Sequence, residues 1–288
     1  MAEKTLVIGA GFLGKHVIHE FNNLGIECFG SHFSTTDEKM FSLDIQNMES
    51  LNQYAEKFRP DIIINCAANV QIDFLENNPE IAYSINSQGA KNVAMLCEKM
   101  KIRLVHISTD GIFDGIRGMY TEEDMPNPIN IYAQSKALGE KFVKENTDNY
   151  VIIRTNFYGH NHEGKFLFNW ILNTLKQKKE LVGFDDIIFT PLEVSNLARM
   201  IFEISMTDYS GIIHLSSNMP ISKYQFALEI AKAFEFDAGL IQKGSIDDAK
   251  LVAKRPKNTS LSNQKAKKII KTPIISLSEW LRNMKSSI

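Results

Sequence analysis

The sequence predicts an α/β protein: a doubly wound parallel sheet carrying a smaller C-terminal α/β lobe. Three observations lead there. Short β-branched runs alternate with helical patterns through the first half of the chain. Each run is apolar on both faces, as a strand covered by helices on both sides must be. The first run also ends in a glycine-rich turn that opens a helix, the hallmark of the Rossmann type.

The elements follow in order. TLVIG (5–9) reads as a buried strand, GKHVIHEFNNLG (14–25) as an amphipathic helix stopped by glycine, and IECFGS (26–31) as a second strand. MESLNQYAEKF (48–58) is helical, and RPDIIINCAA (59–68) holds the third strand. A long helix is expected over 79–100, a fourth strand over 102–108, a helix over 132–145 and a fifth strand over 150–155. Beyond Arg154 the rhythm loosens. Helices are expected over 166–177, over 191–204 with proline at the start, and over 222–234 with Ser222 as its cap. GIIHLSS (211–217) reads as one more buried strand. The expected division is a dinucleotide-binding domain over 1–155 and a substrate lobe over 156–288, discontinuous because 211–217 returns to the sheet.

Composition narrows the function. The chain has 288 residues, a hydrophobic share of 44% and a net charge of −2. That supports a full core and offers no basic field for nucleic acid or anionic lipid. No apolar run is long enough to span a bilayer, and MAEK runs straight into a strand pattern, so a cytoplasmic protein is expected. Cys28, Cys66 and Cys97 form no CxxC pair and read as buried, reduced thiols. His160 and His162 in GHNHEG lack companion ligands and read as a polar loop, so no metal is expected. Trp170 and Trp280 read as packing residues, His106 and His214 as buried, hydrogen-bonded strand histidines. The amphipathic tail 276–284 offers itself for a homodimer contact.

The chemistry concentrates at strand ends. Gly9, Gly11 and Gly14 make G-x-G-x-x-G, with Phe12 and Leu13 in the same turn. Glycines there permit a tight turn and let a pyrophosphate approach the backbone at a helix N-terminus. After the second strand stand Ser31 and His32, with no acid until Asp37. An acid at that place would hold the ribose 2′-hydroxyl of NAD; its absence, with two donors in its stead, favours NADP over NAD. Asp44 and Ile45 follow the next apolar step, where Asp44 can accept from an adenine amino group. Ser108, Thr109 and Asp110 close the fourth strand, at the end where open sheets bind ligands. Tyr132 and Lys136 share one helix face at i, i+4. An ammonium beside a phenol lowers its pKa and makes it a usable general acid. Of eight tyrosines, only Tyr132 has lysine at +4.

Together, the glycine turn, NCAA (65–68), STDGIFDG (108–115) and YxxxK resemble the extended short-chain dehydrogenase/reductase superfamily. GMYTEEDMPNPINIYAQSKALGE, RTNFYG (154–159) and KRPKNTSLSNQK (254–265) resemble most the dTDP-4-dehydrorhamnose reductase group. The resemblance implies that Tyr132 protonates a sugar ketone as nicotinamide delivers hydride. Lys136 would tune the tyrosine and hold the nicotinamide ribose, and Thr109 would orient the carbonyl. Cys66, Ala67 and Ala68 would border the cofactor, and Asn86 would support the long helix or a proton relay. Asp110 and Phe157 would flank the substrate, and Arg255 would face its diphosphate. The chain departs from the group at Gly111 and Asn69, where aromatics are usual, and in the apolar DDIIFTPLE. Lys15 and His16 follow the glycine motif where some relatives bridge a dimer through metal-bound carboxylates, so that metal is not carried over. The expected activity is NADPH-dependent reduction of a nucleotide-linked 4-keto-6-deoxysugar in surface polysaccharide biosynthesis. The alternatives are an epimerase or dehydratase with tightly bound NAD, and a non-catalytic regulatory subunit like that of methionine adenosyltransferase.

Overall fold

The computed structural model describes residues 4–33, 40–161 and 166–285. In chain order the strands are β1 (Lys4–Ile8), β2 (Glu27–His32), β3 (Met40–Ser42), β4 (Ile62–Asn65), β5 (Arg103–Thr109), β6 (Tyr150–Thr155), β7 (Phe157–Tyr158), β8 (Leu181–Phe184), β9 (Ile188–Phe189), β10 (Leu192–Glu193), β11 (Gly211–Leu215), β12 (Ile221–Ser222) and β13 (Ile241–Gly244). The helices are α1 (Phe12–Asn23), α2 (Met48–Phe58), α3 (Ile72–Asn77), α4 (Pro79–Ala82), α5 (Ala90–Met100), α6 (Ile131–Asn146), α7 (Leu167–Lys176), α8 (Val194–Ser205), α9 (Lys223–Phe234), α10 (Ala266–Ile269) and α11 (Leu277–Lys285).

Seven strands form one parallel sheet in the order β11-β6-β5-β4-β1-β2-β3. From β1 the chain winds outward through β2 and β3, then returns to β4 and winds the other way. The reversal opens a crevice beyond the carboxyl ends of β1 and β4. Alternation along the strands builds two cores. Val7, Ile62, Ile64, Val105 and Ile153 face α1 and α8, while Leu6, Ile8, Ile63, Leu104 and Ile152 face α2, α5 and α6. This is why the runs read apolar on both faces.

The second half of the chain divides its work. β11 extends the sheet beside β6. Leu197 and Ile201 of α8 join the core over α1. A separate apolar cluster, with Phe168, Ile171, Phe226 and Ile230 at its centre, binds α7, α9 and α11. Trp280 packs edge-on against Tyr158 and Phe168 there. Trp170 does not pack as expected: it is 48% exposed.

Several elements differ from the expected ones. Residues 79–100 are helical throughout, but Tyr83–Gly89 takes a wider π-helical turn. Pro191 precedes not a helix but β10, which pairs with β7; α8 starts at Val194, where Glu193 accepts from the Asn196 amide at 2.8 Å. The edge strand β3 is three residues long, too short to show a period.

Candidate active site

A cleft of about 540 Å³ runs along the carboxyl ends of β1, β4, β5 and β6, and a second cavity of about 440 Å³ continues it past β2. Gly9, Gly11 and Cys66 border both. The turn between β1 and α1 is shaped by close approach. Gly9 has φ +87°, and a Cβ on it would stand 2.5 Å from the Ala67 amide nitrogen. A Cβ on Gly14 would stand 2.4 Å from the Gly9 carbonyl oxygen. A Cβ on Gly11 would meet no atom of the described residues within 4 Å. The turn is therefore open at this point, beside the amides that open α1. The residues present fit a dinucleotide pyrophosphate.

The second cavity is lined by His32, Asp44, Ile45, Ala67 and Ala68. Asp44 accepts from the Gln46 amide at 2.9 Å. Ser31 is buried, and its hydroxyl points to the Val7 carbonyl at 3.5 Å. Neighbouring strand residues face opposite ways, so only His32 of the expected pair reaches the cavity. Asn86 lies in the π-turn behind the cleft. It accepts from the Asn69 amide at 2.8 Å, and it donates to the Asn69 carbonyl and to Ser135 Oγ, both at 3.0 Å. Its side chain thus staples the β4 loop to α6. Asp37 and His162 lie outside the described residues.

Thr109, Tyr132 and Lys136 line the cleft together. Asn130 caps α6 by accepting from the Ala133 amide at 2.9 Å, which sets Tyr132 in the first turn. Lys136, buried, donates from Nζ to the Ile107 carbonyl at 2.8 Å. Desolvation lowers its pKa to about 8, against the pull of Glu140 and Cys66. The Tyr132 phenol meets the Thr109 hydroxyl; burial nevertheless pushes its pKa up to about 12, with Asp110 adding to the rise. The lowering expected from lysine is not found: desolvation outweighs the Thr109 hydrogen bond, and the phenol keeps its proton at neutral pH.

Beneath this cluster a buried ion pair fixes α6 to the sheet. Arg154 reaches Glu140 through Nη2 at 2.8 Å and Nε at 3.1 Å, and Ser108 Oγ donates to the same carboxylate at 2.5 Å. His214, buried as expected, takes up the remaining side of Arg154 at 3.4 Å.

On the substrate side Asp110 is buried and held from three directions. Thr259 Oγ1 donates to it at 2.7 Å, Asn156 Nδ2 at 3.1 Å and Thr109 Oγ1 at 3.2 Å. Burial raises its pKa in spite of these donors. Phe157 borders the cleft near Phe12, on which Phe166 stacks at 5.0 Å. Arg255 also borders the cleft, with Nη2 on Asp73 at 2.9 Å and Nη1 on the Ala253 carbonyl at 2.8 Å. Sequence reasoning missed Asn156, Thr259, Phe166 and Lys223. Asn156 and Thr259 sat inside quoted segments, but nothing local tied either to Asp110.

A doubly wound sheet with this threonine, tyrosine and lysine at its carboxyl edge defines an extended short-chain dehydrogenase/reductase, a nicotinamide-dependent oxidoreductase. Within that class the chain belongs to the RmlD substrate binding domain family, whose model matches residues 3–288. It is 31% identical over 266 residues to the probable low-salt glycan biosynthesis reductase Agl14 of Haloferax volcanii, covering 89% of each chain. It is 30% identical over 285 residues to methionine adenosyltransferase 2 subunit beta of Rattus norvegicus, covering 92% of this chain and 81% of the relative. Among solved structures it resembles dTDP-4-dehydrorhamnose reductase from Bacillus anthracis in complex with NADP, with a TM-score of 0.90, 31% identity and 100% of both chains covered.

Proposed function

We propose that this protein is an NADPH-dependent reductase of a nucleotide-linked 4-keto-6-deoxysugar, of the dTDP-4-dehydrorhamnose type. The observation that carries the reading is the Thr109–Tyr132–Lys136 cluster in one cleft with an outward-facing Gly11. Gly9, Gly11 and Gly14 would receive the pyrophosphate, and His32 would meet the adenosine end. When bound, NADPH supplies the hydride.

The chain's own residues do the rest. The Thr109 hydroxyl, turning from Asp110, donates to the ketone oxygen and orients it. Tyr132 stands beside it with its proton in place and gives that proton to the oxygen as charge develops there. Lys136, held by the Ile107 carbonyl, keeps a positive charge next to the phenolate that remains. Phe12, Phe157 and Phe166 form an apolar wall along one side.

The dehydratase alternative needs an acid free to reach substrate. Asp110 is instead engaged by Thr259, Asn156 and Thr109. A regulatory subunit would not require the catalytic cluster. No helix among the described residues is long and apolar enough to cross a membrane, and a cytoplasmic site of action fits a nucleotide-sugar substrate.

The test is oxidation of NADPH and of NADH at 340 nm against a panel of nucleotide-linked 4-keto sugars. Turnover with dTDP-4-dehydrorhamnose, faster with NADPH, is the expected result. Silence across the panel would overturn the reading.

A further inference from the structure

Lys223 is costly where it stands. It is the first residue of α9, where the helix dipole disfavours a cation. Its ammonium has no hydrogen bond or ion pair among the described residues, although its backbone amide donates to the Ile187 carbonyl at 3.0 Å. Desolvation, then the Arg255 charge nearby, lower its pKa, and Asp110 pulls the other way. A half-buried, unpaired cation beside another cation destabilises the unliganded fold.

Its position explains the cost. Lys223 borders both the catalytic cleft and an apolar cavity of about 340 Å³ walled by Leu167, Trp170, Leu181 and Phe184. Arg255 cannot receive an anion alone, because both its terminal nitrogens are engaged by Asp73 and the Ala253 carbonyl.

We infer that Lys223, seconded by Arg255, receives the diphosphate of the nucleotide sugar in the cleft. The inference rests on the nucleotide-sugar reading above. The diphosphate supplies the acceptors the ammonium lacks, and the α9 N-terminus then favours the bound charge.

The experiment is calorimetric titration of the NADPH-loaded protein with dTDP, UDP, GDP and thymidine, for the wild type, Lys223→Met and Lys223→Arg. Loss of one charge-assisted contact predicts that K223M binds the preferred diphosphate about tenfold to a hundredfold more weakly. NADPH and thymidine binding should stay unchanged, and K223R should recover most of the loss. The unliganded K223M protein should melt higher than wild type, since an unpaired charge has gone. Wild-type affinity in K223M overturns the inference, as does a lower melting temperature with NADPH binding lost in parallel. If the wild type binds none of the three nucleoside diphosphates, the nucleotide-sugar reading fails. Inorganic pyrophosphate then decides: binding that depends on Lys223 sustains the anion site, and binding that is absent or indifferent to it ends the inference.

Discussion

The two sides of the cleft are built by different means. The cofactor side is a matter of backbone. Gly9 touches the Ala67 amide and Gly14 touches Gly9, so the turn is formed by chain segments with no side chains between them. The substrate side is a matter of side chains from distant segments. Asp110 from the end of β5 is gripped by Asn156 after β6 and Thr259 near the C-terminus, and Arg255 is tied to Asp73. A backbone site tolerates no added atom but needs few particular side chains. A side-chain site tolerates small changes of shape but depends on every donor. At Gly111 there is room of this kind: among the described residues a Cβ on it would meet only Thr109, at 3.4 Å.

Substitutions on the two sides should separate in kind as well as size. At the junction of both, Tyr132→Phe removes the proton donor and should lower kcat about 10²- to 10⁴-fold. NADPH affinity, read by fluorescence titration, should hold; full activity would refute the acid role. On the cofactor side, Gly9→Ala places a methyl group against backbone at a positive φ. It should cost upwards of about 2 kcal/mol and abolish NADPH binding. A melting curve and a titration would reveal it, and an unaffected variant would mean that the turn can shift.

On the substrate side, Thr259→Val leaves buried Asp110 short of a donor, at a cost of about 1–3 kcal/mol. KM for the sugar should rise while NADPH binding stays, and a change confined to NADPH would break the contrast drawn here. The smallest effect is one of pH. Lys136 has a pKa of about 8 in the fold, against lysine's ordinary value of 10.5, while that of Tyr132 is about 12. As pH rises through about 8 the ammonium is lost while the phenol remains protonated. The reduction rate should therefore decline about tenfold per unit above pH 8 and level off below it. For stability the sign is opposite. The unfolded chain holds this proton more tightly than the native one, so the Lys136 contribution to stability grows as pH rises from about 8 towards 10.5. A rate that stays flat to pH 10 would remove lysine's charge from the mechanism.

The same contrast explains what could be read in advance. Strand and helix periods, the glycine turn and the Tyr132–Lys136 pair are local patterns, and local patterns survive in one dimension. The sheet, its helices and the face of α6 that carries Tyr132 and Lys136 were legible for that reason. Ser31 and His32 were read together because both follow β2, yet the strand's alternation admits only His32 to the cavity. The lysine was expected to lower the tyrosine's pKa because they share a helix face. Burial, which no spacing expresses, raised it instead. Trp170 looked like a core residue from its helical pattern but borders an open cavity.

What the sequence determined by itself, then, is the class of fold, the glycine turn and the helix face shared by Tyr132 and Lys136, because each shows as a pattern among residues a few positions apart. What only the tertiary structure decided is the substrate side: the grip of Asn156 and Thr259 on Asp110, and the engagement of Arg255 by Asp73. Those contacts join residues separated by 46 to 182 positions. Their geometry exists only once the sheet and lobe have closed on each other, since chain entropy keeps such distant groups apart until the core is formed.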